Sequence, residues 1–170
     1  PYISWYFYIA LSLIYMGLYS KENFYKLNYF MFLGMLLCFL IYLKFPNGQN
    51  LRPTLDYLNN KDFFLNLISR IYEIDTPTNS APSIHVLVSV GIHSAIVRCD
   101  KININFKRIS LVSIILIIAS TVMIKQHSIL DVIYALGLGA FIYILIFRVD
   151  FIKYFNIKRA AKLLSFEINK

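Results

Sequence analysis

Cysteine is nearly absent from this chain, with two copies among 170 residues, Cys38 and Cys99. Both lie in or beside apolar runs, and their separation gives no metal-ligand spacing, so they are expected to be unpaired packing residues. Internal repeats and low-complexity stretches are also missing, which excludes a solenoid or a linker-like chain. No basic stretch precedes the first apolar run and no small-residue cleavage site follows it, so no cleavable signal is visible. The chain already lies in an apolar run at Pro1, which points to an earlier segment in a longer protein.

What is present is grease. Hydrophobic residues make up 58 % of the chain, with 13 Tyr and 14 Phe, and the mean hydropathy is positive. A soluble domain of this size cannot hide so much apolar surface, so lipid is the expected solvent. A spanning helix needs about 20 mostly apolar residues, sometimes a few less. Five segments qualify: roughly Tyr2 to Tyr19, Leu27 to Leu43, Ser83 to Val97, Ile109 to Ile124 and Ile129 to Phe147. The third carries His85, Ser89, His93 and Ser94, and is expected to turn that polar face inward. The expected fold class is all-α, a polytopic membrane helix bundle of five spans with a sixth missing at the N-terminus.

Charge sets the expected direction. Ser20 to Lys26 holds Lys21 and Lys26 against Glu22, a net of +1, and Arg98 to Arg108 carries a net of +3. The tail from Arg148 holds six cations against Asp150 and Glu167, a net of +4, whereas Lys44 to Pro82 is balanced. Positive segments stay in the cytoplasm, so the C-terminus is expected inside and Pro1 outside. Arg52, His85 and His127 then all fall on the outer face, where one shared site is possible. Leu55 to Ile74 has roughly helical apolar spacing and is expected to lie on the membrane as an amphipathic helix, roofing the site. The tail from 151 to 170 is expected to be a second, basic amphipathic helix on the cytoplasmic surface. Residues 1–150 would form the membrane domain.

Three polar clusters stand at the ends of the apolar runs: Leu51-Arg52-Pro53, Pro82-Ser83-Ile84-His85, and Lys125-Gln126-His127 with Asp131 four residues on. Polar groups in such surroundings are costly unless they have partners or work to do. His127 and Asp131 share a helix face if that stretch is helical, and a carboxylate beside an imidazole fixes its tautomer and favours its charged form. That makes His127 a candidate nucleophile toward phosphorus, the alternative being a histidine that caps a helix. Ser83 suits an N-cap, whose backbone N–H groups and positive helix end suit an anion. His85 in the first turn is placed to protonate a leaving alkoxide. Arg52 can grip a phosphate with two parallel hydrogen bonds. Lys125 is a second candidate cation, with snorkelling as its alternative, and snorkelling is the better account of Lys44. His93 is expected to be neutral and bonded to Ser89 or Ser94. Gly137 and Gly139, with Ala135, are expected to let the last span pack closely.

Together the clusters resemble the phosphatidic acid phosphatase type 2 superfamily of lipid phosphatases and phosphotransferases. Arg52-Pro53 matches its first motif, Pro82-Ser83-Ile84-His85 its second, and Ser120, His127 and Asp131 the order and spacing of its third. The resemblance covers about Pro46 to Gly139. It implies a bundle of about six spans with an extracytoplasmic site in the plasma membrane of a bacterium. It further implies a phosphohistidine on His127 oriented by Asp131, His85 as the acid, and Arg52 and Ser83 on the phosphate oxygens. The implied partner is a lipid phosphate substrate, with no cofactor, no metal and no nucleic acid. Two positions depart from the pattern. Phe45 stands where the family has a lysine, with Lys44 one position further out, and Thr121 stands where the third motif has an arginine. If the chain stays helical there, Lys125 lies one turn beyond Thr121 and supplies the charge. The departures look like the branch with inositol phosphorylceramide synthase-like members, so hydrolysis of a lipid phosphate or diphosphate and transfer of the phosphoryl group to an alcohol both stay open. A non-catalytic protein that binds or transports a lipid headgroup is the alternative outside enzymes.

Overall fold

The computed structural model describes residues 1–53 and 62–149. Within them the chain is helical, in the order α1 (Ser4–Tyr19), α2 (Lys21–Lys44), α3 (Phe63–Ile74), α4 (Ile84–Arg98), α5 (Ile104–Met123) and α6 (Ile129–Tyr143). A π-helical turn, Ile144–Arg148, prolongs α6. No β-strand occurs among the described residues, only an isolated bridge between Gly48 and Thr78. A helix forms at each of the five apolar segments. Three of them, Lys21–Lys44, Ile104–Met123 and Ile129–Arg148, are long and apolar enough to cross a membrane. The first seven residues of the expected surface helix and its basic counterpart in the tail lie outside the described residues. Its second part is present as α3, with Asp62 as N-cap accepting from the Phe64 N–H.

Two helices begin earlier than their apolar runs. α2 starts at Lys21 because its polar first turns are locally satisfied: Lys26 pairs with Glu22 at 2.7 Å, and Asn23 donates to the Ser20 hydroxyl. α5 starts at Ile104, where Asn103 accepts from the Asn105 N–H at 2.9 Å. Hydropathy marks the lipid-like part of a helix, whereas capping and i,i+4 pairs set where the helix begins.

α4 is the central element and packs against α1, α2, α5 and α6. Its Val86, Leu87, Val88 and Ile92 are buried. Gly91 makes the tightest crossing: a β-carbon there would lie 2.4 Å from the Phe30 ring of α2. In lipid, where tails are as apolar as leucine, such small-residue contacts let helices approach and gain dispersion energy. Ala135 is fully buried, and Gly139 faces Leu87 and Val90. Gly137 departs from the expectation, with nothing within 4 Å of where its β-carbon would be. It lies two residues from the packed face, on the other side of α6. Cys38 and Cys99 are buried and free.

Candidate functional site

The site forms at one end of the bundle, where α4 and α6 begin. Ser83 is the N-cap of α4, and its hydroxyl accepts from the Val86 N–H at 3.4 Å. Its own N–H donates to the Asp131 carbonyl at 3.2 Å, tying the starts of the two helices together. Ser128 opens α6 with a capping box. Its hydroxyl accepts from the Asp131 N–H, and the Asp131 carboxylate accepts from the Ser128 N–H at 2.8 Å. This reciprocal arrangement satisfies two orphan donors and fixes the carboxylate.

α5 delivers the third segment. It ends in a Schellman turn: the Lys125 N–H donates to Val122 O at 3.0 Å and the Gln126 N–H to Thr121 O at 2.9 Å. Lys125 takes the left-handed conformation that this motif requires, with φ 54°. The turn reverses the chain, so His127 also donates its N–H to Thr121 O. The expectation that Lys125 continues the helix one turn beyond Thr121 fails for that reason. Its side chain is exposed at the rim.

His85 and His127, 42 residues apart, are in contact, with Nδ1 of His85 3.3 Å from Nε2 of His127. They keep only 9 % and 7 % of their surface exposed, and Asp131 keeps 5 %. Nδ1 of His127 lies 3.0 Å from the Ser80 carbonyl and 3.5 Å from Asp131 Oδ2. A carbonyl only accepts, so we assign the proton to Nδ1, which leaves the Nε2 lone pair facing His85. Burial pushes the His127 pKa below its ordinary value, against the opposing pull of Asp131, Asp75 and the Ser80 carbonyl. The ring is therefore neutral at pH 7, the state in which its lone pair can attack. Ser80 is held by the 46–53 loop, where Asn47 bonds Ala81 in both directions and accepts from the Ser80 hydroxyl.

Arg52 reaches the same end. Its guanidinium donates to Asp75 O at 2.6 Å, to Tyr72 O at 3.4 Å and to Gln126 Oε1 at 2.8 Å, and lies 4.5 Å over the Tyr72 ring. It thus clasps the end of α3 to the residue before His127. In this conformation its terminal nitrogens face protein acceptors. Lys44 lies exposed at the end of α2, with its ammonium 5.6 Å over the Phe45 ring. His93 bonds Ser110 of α5 at 2.8 Å, and Ser110 in turn bonds Tyr8 of α1. That corrects the expected partners: Ser89 and Ser94 instead donate to carbonyls one turn back on α4. A hydroxyl four residues past a helical carbonyl takes the nearer acceptor.

Three further residues at the site escaped the sequence reading. Tyr2 and Trp5 pack on the His85 ring at centroid distances of 4.8 and 4.3 Å. Asp75 accepts from Tyr2 Oη at 3.1 Å and from Gln126 Nε2. Asp75 carried one signal, because an acid just past a helix C-terminus opposes the macrodipole and therefore needs another partner. A cavity of about 310 Å³ lies at the other end of the bundle, among Ser20, Glu22, Lys26, Arg98 and Lys101. Arg98 there is bonded to Tyr143 Oη, and Lys101 to the Tyr19 carbonyl.

Compared with known proteins, the chain matches no family model, no curated protein and no solved structure.

Proposed function

We propose that this chain is a membrane phosphatase that hydrolyses a lipid phosphate or diphosphate through a phosphohistidine on His127. The observation that carries the reading is the buried pair of imidazoles in contact, one of them held by Ser80 and Asp131 with its lone pair turned to the other. In the first step the His127 Nε2 lone pair attacks phosphorus. The P–O bond to the lipid breaks, and His85 gives its proton to the departing oxygen. In the second step water attacks the phosphohistidine, the N–P bond breaks, and His85 takes the proton of the water. The rings must part to admit phosphorus, since 3.3 Å leaves no room between them. Arg52, Ser83 and Lys125 are the residues proposed to hold the phosphate, with Arg52 exchanging its protein acceptors for phosphate oxygens.

The proposed setting is a bundle of five spans, the site on the extracytoplasmic face of a bacterial plasma membrane and the C-terminus inside. The charge asymmetry of the connections supports this direction. α1 and α4, of 16 and 15 residues, are short for a hydrocarbon core of about 30 Å. They would bring their polar ends to the interface, where the histidines stand.

The test is a purified sample in detergent given phosphatidic acid, with and without inositol or glycerol. Free phosphate alone supports the hydrolase, and a new phosphodiester supports phosphoryl transfer instead. Neither product, with no acid-labile phosphate trapped on His127, overturns both.

A further inference from the structure

Three buried nitrogens among the described residues lack any hydrogen-bond partner: Trp5 Nε1, Arg52 Nε and His85 Nε2. They are not scattered. Trp5 and Tyr2 pack with tilted rings on His85, Tyr2 bonds Asp75, and the carbonyl of Asp75 takes Arg52. A buried donor without an acceptor forfeits its hydration, and such groups in native proteins call for an explanation. Three at one site, on residues linked by direct contact, point to a common polar ligand. Two of the three, Trp5 Nε1–H and Arg52 Nε–H, can only donate. The third accepts in the neutral ring, whose Nδ1 donates to the His127 lone pair, and donates only in the imidazolium; its residue is nine-tenths buried. A phosphate group answers this set, because its oxygens accept and its P–OH donates.

We infer that Trp5 is a substrate-contacting residue whose indole N–H donates to a phosphate oxygen of the lipid headgroup beside His85 and Arg52. This rests on the lipid-phosphatase reading, which assigns no role to α1. Tyr2, bonded to Asp75, also packs on the His85 ring and steadies it beside Trp5. The indole N–H is a donor that does not titrate, bonded to an anionic oxygen. It therefore acts on affinity and not on proton transfer.

Trp5 is the sole tryptophan of the chain, so its emission reports this contact without any turnover. Dioleoyl phosphatidic acid added to the protein in detergent should change the emission and saturate, in wild type and in His127→Ala alike. Phosphatidylcholine should leave it unchanged. Trp5→Phe keeps an aromatic ring on His85 and removes the N–H with part of the indole, so KM should rise about 10- to 150-fold, the worth of one hydrogen bond to a charged group. The kcat and the pH profile of kcat/KM should stay as in wild type. An emission indifferent to phosphatidic acid, an equal response to phosphatidylcholine, or an unchanged KM in Trp5→Phe overturns the inference. An equal response to inorganic phosphate supports it and locates the contact on the phosphate itself; a response to the lipid alone supports it and locates the contact on the ester oxygen. If emission saturates with phosphatidic acid while no phosphate is ever released, the phosphatase reading fails and the Trp5 contact stands. If turnover is normal and Trp5→Phe is silent, the reverse holds.

Discussion

Nδ1 of His127 lies nearer the Ser80 carbonyl, at 3.0 Å, than the Asp131 carboxylate, at 3.5 Å. The backbone therefore shares the task of fixing the tautomer, and Asp131 divides its carboxylate between the imidazole and the cap of α6. His127→Ala should abolish turnover. Asp131→Asn should cost well short of the roughly 10⁴-fold loss expected where a carboxylate is the imidazole's sole partner. Rates of phosphate release from phosphatidic acid by the two variants check this ranking. Equal losses would mean that Ser80 does not hold the ring.

The pH dependence follows from burial of the same ring. Its pKa lies below the ordinary 6.5 because desolvation disfavours the imidazolium. Only the neutral form attacks, so the acid limb of kcat/KM that this ring controls should lie below pH 6.5, while protonation of the His85 acid sets the alkaline limb. Stability runs in the same direction. Between the folded and unfolded pKa values the unfolded chain binds more protons, so stability drops as pH falls from 6.5 and levels off below the folded value. A kcat/KM profile whose acid limb sits above 6.5 contradicts the buried, neutral nucleophile.

His85 is the proposed proton donor to the leaving oxygen, and its loss should depend on how much the leaving group needs that proton. His85→Ala should slow hydrolysis of a lipid alkyl phosphate by about 10²–10⁴-fold. A nitrophenyl phosphate, whose leaving group departs as a stable anion, should lose far less. Equal losses on both substrates would remove the acid role.

The helices and the three polar clusters were legible because each is written locally. Apolar runs mark α1, α2, α4, α5 and α6, and Ser83 announces its cap through the residues that follow it. The environment of His85 was not legible, because Trp5 of α1 and Tyr2 just before it lie some eighty residues away, and no local pattern says which helix end meets which. The same holds for His93, whose partner Ser110 lies on the next helix. The condition set on Lys125, that the chain stay helical past Thr121, is not met, because the Schellman turn that ends α5 uses a lysine where glycine is usual.

Among the small residues, sequence pointed to α6, whereas the closest approach is at Gly91 of α4. A β-carbon there would stand 2.4 and 2.6 Å from two carbons of the Phe30 ring. That ring is itself fully buried and has little room to retreat. Gly91→Ala should destabilise the bundle by about 1–3 kcal/mol through overpacking, whereas Gly137→Ala, with open space around it, should be neutral or slightly stabilising. Thermal unfolding of both variants in one detergent compares them directly.

Lys125 combines a strained backbone with an exposed cation, and the two can be separated. At φ 54° a residue with a β-carbon pays roughly 1–2 kcal/mol that glycine does not. Glycine costs back about 0.4–1 kcal/mol through the entropy of the unfolded chain. Lys125→Gly should therefore raise the Tm modestly, a net gain of at most about 1.6 kcal/mol by those figures. Its ammonium stands at the rim, one residue before Gln126 and two before His127, where it would favour the phosphate of the proposed substrate. Removing it should raise KM at low salt. Because the charge is exposed, the difference from wild type should fade by about 1 M salt, where the screening length shrinks to about 3 Å. A KM that rises equally at low and high salt would place Lys125 in direct, desolvated contact with the phosphate, and an unchanged KM at low salt would remove it from the site.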